Sequence, residues 1–438
     1  MQAIDTILEA GWIIPVEPEN TIFTDSAIII DKGVIIEILP AEDAVNKYQP
    51  AQHHRYPQHI LLPGFVNAHT HASMNLLRGL ADDMPLMQWL QEHIWPAESA
   101  HVSEEFVRDG TQLAIAEMLR SGTTCFDDMY FYPDVTARVA QQAGMRAVVG
   151  LIVLDFPSVW ASNADEYINK GLEVNDRFRD EALISTAFAP HAPYTVSDPA
   201  LQHVQLLANE LDLPIHMHVH ETRDEIKQSL EQFKVRPIER LKQLGMLTPS
   251  LLAVHMTQLQ ENEIADIAEH GVQVIHCPES NLKLASGFCP VSKLIDAGVN
   301  IALGTDGAAS NNDLDMGAEM RTAALLAKAT SENACALPAM QAIRMATLNG
   351  ARALGLDQQI GSLLPGKAAD IIAVDVDSIE TQPLYHPESH LVYSSSRDKI
   401  TDVWVNGQHL LKQRELTRLD QKEILAKAHS WQQRISSL

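Results

Sequence analysis

Along the middle of the chain, short apolar runs alternate with stretches of roughly 10 to 20 residues that carry helical periodicity, the pattern of βα units feeding a parallel sheet. The apolar runs predict strands at 61–67, 123–128, 145–152, 183–189, 213–219, 251–256, 272–277 and 299–305. Punctuation supports the helices between them. Ser103 is placed to cap a helix that runs to Arg120 and stops at Gly122, Ser197 or Asp198 can cap a later one, and Gly144, Gly271 and Gly298 each precede a predicted strand. Eight such repeats predict a (β/α)8 barrel, whose working face is the C-terminal end of its strands. A doubly wound sheet is the other α/β solution, but no GxGxxG follows the first strand.

Both ends of the chain read differently. Ala27 to Ile30 and Val34 to Ile38 flank Asp31-Lys32-Gly33, a hairpin pattern, and Val403-Trp404-Val405 runs into the turn dipeptide Asn406-Gly407 before Leu410-Leu411. Ile371 to Val374 is a further short strand. Each end is too short to form its own layered domain. Residues 1–60 and 369–438 are therefore expected to meet as one small discontinuous β-sandwich built from both termini, with 61–368 as the barrel.

Composition narrows the partners. The chain has 438 residues, 46% hydrophobic and 20% charged, which excludes disordered or fibrous classes. Asp and Glu number 57 against 32 Lys and Arg, a formal charge of -25 that opposes nucleic acids and anionic membranes. Cys125, Cys277, Cys289 and Cys335 are scattered without a CxxC pair and read as reduced thiols. The first residues lack a signal-peptide pattern, and the longest apolar run, Ala147 to Leu154, is far below the ~20 residues of a membrane span, so a cytoplasmic protein is expected.

Candidate chemistry gathers at the predicted strand ends. His69 and His71 follow the first strand at i and i+2 and share one side of it. The fifth strand ends in His216-Met217-His218-Val219-His220-Glu221, and three buried imidazoles on one stripe demand hydrogen-bond or metal partners. One of them is expected to bind metal, while His216, one layer deeper, is expected to serve as support or as a core histidine. His255 ends the sixth strand and Asp306 follows the eighth. Singly, each is as readily a hydrogen-bonded core group; jointly they occupy one rim. Nitrogen ligands with one carboxylate suit Zn²⁺ or Fe²⁺ and leave a position for water. A metal so held lowers the pKa of water from ~16 towards ~7, which makes the chemistry hydrolytic.

These motifs, HxH, HxxE, a lone His and Thr305-Asp306-Gly307, resemble the amidohydrolase superfamily. The resemblance covers the whole chain, including Gly361-Ser362-Leu363 and Pro365 to Ile371, which look like the return into the β domain. No Lys lies between Leu183 and His191, where dinuclear members carry a bridging lysine, and this points to the mononuclear branch. Closer still, Pro63 to His71, Leu76 to Leu80, Trp89-Leu90 with Glu98, Ala189 to Tyr194, His218 to Thr222 and Gly304 to Asn312 resemble the methylthioadenosine/S-adenosylhomocysteine deaminases.

That resemblance implies one Zn²⁺ per subunit, with Fe²⁺ or Mn²⁺ as alternatives, held by His69, His71, His218 and Asp306. Glu221, His255 and Asp306 would act on the ring: Glu221 protonates N1, Asp306 moves a proton from water to the amine, and His255 orients the nucleophile and steadies its charge. Trp89, Glu98, His191, Glu221 and Ser310 would bind the nucleoside, Glu98 through the ribose hydroxyls. Members that accept S-adenosylhomocysteine need a cation for its carboxylate, yet no Arg lies between Arg146 and Arg177, and Asp155, Asp165 and Glu166 follow the third strand. A preference for 5′-methylthioadenosine or adenosine is therefore expected. The competing readings are a guanine or cytosine deaminase or chlorotriazine-type hydrolase on the same metal site, and a non-catalytic scaffold. A homo-oligomer is expected.

Overall fold

A computed structural model describes residues 1–436, so the last two residues of the 369–438 segment lie outside the described residues. The strands form two eight-stranded sheets. One takes its strands from both ends of the chain: β1 (Gln2–Ile13), β2 (Phe23–Asp31), β3 (Val34–Pro40), β4 (Tyr48–Pro63), and, after the other sheet, β13 (Ile371–Asp375), β14 (Ile400–Val405), β15 (Gln408–Lys412) and β16 (Glu415–Leu416). Its order is β16-β15-β14-β13-β4-β1-β2-β3. The hairpin at Asp31–Gly33 joins β2 to β3, and Asn406-Gly407 joins β14 to β15. Leu8, Ile28, Leu61, Ile371 and Trp404 form an apolar cluster on this sheet.

The other sheet is parallel and nearly closed: β5 (Phe65–Thr70), β6 (Thr123–Tyr130), β7 (Arg146–Val153), β8 (Ile184–Pro190), β9 (Ile215–Val219), β10 (Leu251–His255), β11 (Gln273–His276) and β12 (Ile301–Leu303), hydrogen-bonded in chain order. It is the (β/α)8 barrel the alternation predicts. Every residue of β7 is buried, because helices cover the outer face and side chains fill the inside; hence the unbroken apolar run. Ser103 caps the helix Glu104–Arg120 by accepting the Phe106 amide.

The first predicted strand, 61–67, is displaced to 65–70. Leu61 and Leu62 continue β4 and pair with β13, and the chain changes sheets at Gly64, where a Cβ would sit 2.1 Å from the Thr124 side chain. Both strands are buried there, so the apolar run shows no break. The C-terminal helix Gln421–Ile435 leaves the β sheet and packs on Glu104–Arg120, with Trp431 Nε1 donating to Asp109 at 3.1 Å.

β12 and β5 meet at a seam closed by side-chain and backbone hydrogen bonds of the residues just past β12. Thr305 donates its amide to Asn67 Oδ1 at 3.0 Å, Asn67 Nδ2 donates to Thr305 Oγ1 at 2.7 Å, and the Asp306 amide donates to the His69 carbonyl at 3.0 Å. Gly304 permits this approach, since a Cβ there would lie 2.7 Å from His69 Cβ. The closure of the barrel thus brings His69 against Asp306.

At the opposite end, Arg146 Nε lies 3.0 Å from Asp370 Oδ2, both nearly inaccessible at 4% and 2% side-chain exposure, and Asp370 Oδ1 also accepts the Asn406 amide. This pair fastens β7 to the terminal sheet. Asp370→Ala leaves the guanidinium buried without its charge partner and is expected to destabilise the fold by about 3–5 kcal/mol. Removing Arg179 from its exposed pair with Asp176 should cost under about 1 kcal/mol. Urea unfolding of the two variants checks the contrast, and equal losses would contradict it. Among the described residues, no helix is long and apolar enough to cross a membrane.

Candidate active site

The strands end where the chemistry is placed. Along β9 the side chains alternate, sending His216 and His218 inward, and the chain then turns through His220 at φ 55°. β10 ends with His255 at φ 77° and Met256 at φ 52°, and Asp306 follows β12 at φ 61°. Non-glycine residues in this region cost about 1–3 kcal/mol each, and such strain collects where function over-determines the backbone. Here the anchors are visible. The Glu225 carboxylate accepts the amides of His220 at 2.9 Å and Glu221 at 2.7 Å, while Thr257 Oγ1 donates to the Glu221 carbonyl at 2.6 Å.

Four donor atoms, one each from His69, His71, His218 and Asp306, lie within 4.8 Å of one another. Asp306 Oδ1 is 3.3 Å from His69 Nε2 and 3.2 Å from His71 Nε2, and the Nε2 atoms of His69 and His218 are 3.2 Å apart. Every Nδ1 is engaged on the far side: His71 with the Met129 carbonyl at 2.6 Å, His218 with the His191 carbonyl at 2.8 Å, and His69 with His216 Nε2 at 2.8 Å. Carbonyls only accept, so Nδ1 of His71 and of His218 carries a proton, and Nε2 of each is the nitrogen left facing the donor centre.

Burial holds His69 and His218 well below the usual imidazole pKa, so both are neutral, as ligands must be. For Asp306, burial pushes the pKa up, but its contacts with His69 and His71 outweigh this and hold it well below the carboxylate range. For His71, burial lowers the pKa and Asp306 overrides it, raising it to about 9, so without a cation the ring holds an Nε2 proton toward Asp306 that a bound metal would displace. Converging lone pairs around a buried carboxylate form a site that gathers positive charge. The donor set, three imidazole nitrogens and one carboxylate oxygen, fits a single divalent ion of the zinc type.

Beside this set opens a cavity of about 490 Å³. Glu221, His255, Trp89, Glu98, His191 and Ser310 all line it, so the structure brings every sequence-predicted pocket residue to one place. Burial and the nearby Asp306 charge push Glu221 up to about 8. Glu98 is pushed to about 6 by burial, against the hydrogen bond it accepts from Tyr130 Oη at 2.6 Å. His191 falls to about 3, through burial and then its histidine neighbours. His255 is lowered by burial, and its Nδ1 contacts Asn281 Oδ1 at 2.9 Å, leaving Nε2 toward the cavity.

Two features differ from the sequence reading. Asp155, Asp165 and Glu166 do not line the cavity; Asp155 accepts the Ser197 amide, and Leu154 and Phe156 face the pocket instead. The case against a carboxylate-bearing tail therefore rests on an apolar wall without a single Arg or Lys. The supports were also missed: Asp127, Glu225, Ser280, which donates to Asp306 Oδ2 at 2.6 Å, and Asn281. Asp127-Asp128 inside the buried β6 was a readable signal, since carboxylates in an apolar strand need partners. Glu225 was not readable, because it looks like any acidic residue in the first turn of a helix.

An amidohydrolase family model matches residues 60–410. A 5-methylthioadenosine/S-adenosylhomocysteine deaminase of Saccharophagus degradans is 51% identical over 433 residues, covering 99% of this chain and 97% of its own. A 5′-deoxyadenosine deaminase of Methanothermobacter thermautotrophicus is 44% identical over 371 residues, 85% of this chain and 86% of its own. The crystal structure of an adenosine deaminase from Xanthomonas campestris with bound zinc superimposes with a TM-score of 0.99 at 53% identity, covering all of both chains.

Proposed function

Because the chain belongs to the amidohydrolase family, we propose that it hydrolytically deaminates adenosines whose 5′ substituent is small and uncharged, 5′-methylthioadenosine foremost. The supporting observation is a protonated-range carboxyl, Glu221, set beside a three-histidine, one-carboxylate donor set in a cavity lined by no cationic Arg or Lys. His69, His71, His218 and Asp306 would hold one zinc ion, which when bound supplies Lewis-acid activation of water at neutral pH.

The residues divide the proton work. Glu221, neutral below about pH 8, gives its proton to ring N1 and makes C6 electrophilic. His255, with its Nδ1 proton directed at Asn281, offers the Nε2 lone pair to the attacking water and orients it. Asp306, its rotamer fixed by Ser280, receives the proton that water sheds and passes it to the departing amine. The new C6 hydroxyl returns a proton to Glu221, leaving the 6-oxo ring and ammonia. Glu98 accepts the ribose hydroxyls, and Trp89, held by its Nε1 bond to the Ala81 carbonyl at 3.1 Å, walls the pocket with His191 and Ser310.

Ammonia release from 5′-methylthioadenosine, 5′-deoxyadenosine, adenosine, S-adenosylhomocysteine, adenine, guanine and cytosine tests the reading. The first three should lead in kcat/KM. A clear win for S-adenosylhomocysteine or for a free base would overturn it.

Glu98→Gln should lower kcat/KM for the nucleosides by roughly 10- to 100-fold, the worth of a hydrogen bond to a charged group, and leave any slow turnover of adenine unchanged. The pH profile follows from the two carboxyls. Glu98 must be ionised, so kcat/KM falls as pH drops through about 6; Glu221 must be protonated, so it falls as pH rises through about 8. The acid limb should vanish in Glu98→Gln, and a flat profile in the wild type from pH 5 to 9 would contradict both assignments.

A further inference from the structure

We propose that Asp127 and His216 are positioning residues that fix His69 as a metal donor and set the metal affinity of the site, through a buried chain crossing the barrel from β6 through β9 to β5. The inference rests on the reading of His69 as a ligand and assigns the residues behind it. His69, His216 and Asp127 are all 0% exposed. His69 Nδ1 lies 2.8 Å from His216 Nε2 with the rings at 90°, and His216 Nδ1 lies 3.1 Å from Asp127 Oδ2. Among the described residues, neither carboxylate oxygen of Asp127 nor His216 Nδ1 makes a well-aligned hydrogen bond, their own 3.1 Å contact included, so each is a buried polar group left to the other.

Proton counting fixes the direction of this chain. For His69 Nε2 to give its lone pair to a cation, Nδ1 must carry the proton. His216 Nε2 must then be bare to accept it, which puts the His216 proton on Nδ1, facing the carboxylate. A buried carboxylate without a donor is costly, and this arrangement turns the His216 Nδ1 proton toward Asp127 Oδ2 at 3.1 Å and sets the carboxylate behind His69. The other two imidazoles are backed differently. His71 and His218 point Nδ1 at the carbonyls of Met129 and His191, which are dipoles rather than charges. His69 is thus the histidine of the set with a carboxylate behind it, and its backbone packs closely on Gly304, where a Cβ would fall 2.7 Å from His69 Cβ.

The test is zinc affinity of the full-length protein, read by competition with a chelating dye after the metal has been stripped. His216→Leu is expected to bind zinc 10- to 100-fold more weakly. His216→Gln, whose amide oxygen still accepts from His69 Nδ1, should recover part of that loss. Asp127→Asn is nearly isosteric and keeps an acceptor without the charge, so it should lose affinity by less than His216→Leu, and it carries the test even if the leucine variant does not fold. In zinc-loaded wild type the Nδ1 protons of His69 and His216 should give slowly exchanging low-field proton resonances, and Asp127→Asn should shift both, which a purely structural role would not do. Folded His216→Leu and Asp127→Asn that hold zinc as tightly as wild type would overturn the inference. Wild type that takes up no zinc would overturn both it and the assignment of the donor set, so the two failures are distinguishable.

Discussion

Glu221→Gln is expected to lower kcat for 5′-methylthioadenosine by about 10²- to 10⁴-fold, the usual contribution of a positioned general acid, with KM little changed. The amide has the shape of the protonated carboxyl and can still donate a hydrogen bond to ring N1, but it cannot transfer the proton. Position is not at issue, because the backbone of residue 221 is held from both sides by the Glu225 carboxylate and the Thr257 hydroxyl. Burial and the neighbouring Asp306 charge keep the native carboxyl protonated up to about pH 8, where a carboxyl at its ordinary pKa would be ionised. The variant should therefore lose the alkaline limb of the rate profile together with its rate. Steady-state ammonia release across pH checks both, and a variant with wild-type kcat would remove Glu221 from the reaction.

Stripping the metal with a chelator should abolish turnover, by at least about 10³-fold for the several kcal/mol of barrier that a Lewis acid supplies, and added zinc should restore it. His218→Ala should be as inactive and should not recover with zinc, since one of the inward Nε2 donors is gone. The geometry explains why the loss should be complete. The Nε2 atoms of His69 and His218 face each other at 3.2 Å. With both rings neutral and their protons on the far nitrogens, two lone pairs oppose one another unless a cation lies between them. Metal content measured beside activity is the check. Full activity of metal-free protein would refute the assigned donor set.

The site was legible wherever a residue type had no ordinary reason to stand where it did. Histidines at i and i+2 in an apolar strand, as at His69 and His71 or His216 and His218, cannot be core packing without partners. Eight apolar runs in alternation with helices left the barrel as the economical fold, and its working face followed. What escaped were groups defined only by what they touch. Glu225 reads as a helix-start acid, and only the folded loop shows it holding two amides of the catalytic turn. The acidic residues after β7 read as pocket charges, yet a loop's side chains have no fixed periodicity, and Leu154 and Phe156 line the cavity in their place.

The sequence by itself determined the order of elements, the barrel and the set of ionisable groups at its rim, because hydrophobic period and burial of polar groups act locally along the chain. Tertiary structure alone decided the rest. The first strand changes sheets at Gly64 inside an unbroken apolar run, since two buried strands present the same pattern whichever sheet they join. That His216 backs His69, and not His71 or His218, depends on the tilt and stagger of strands far apart in sequence. The proton positions of the histidines, and with them the direction in which the lone pairs point, follow from hydrogen bonds between residues up to 147 positions apart, which no local rule can specify.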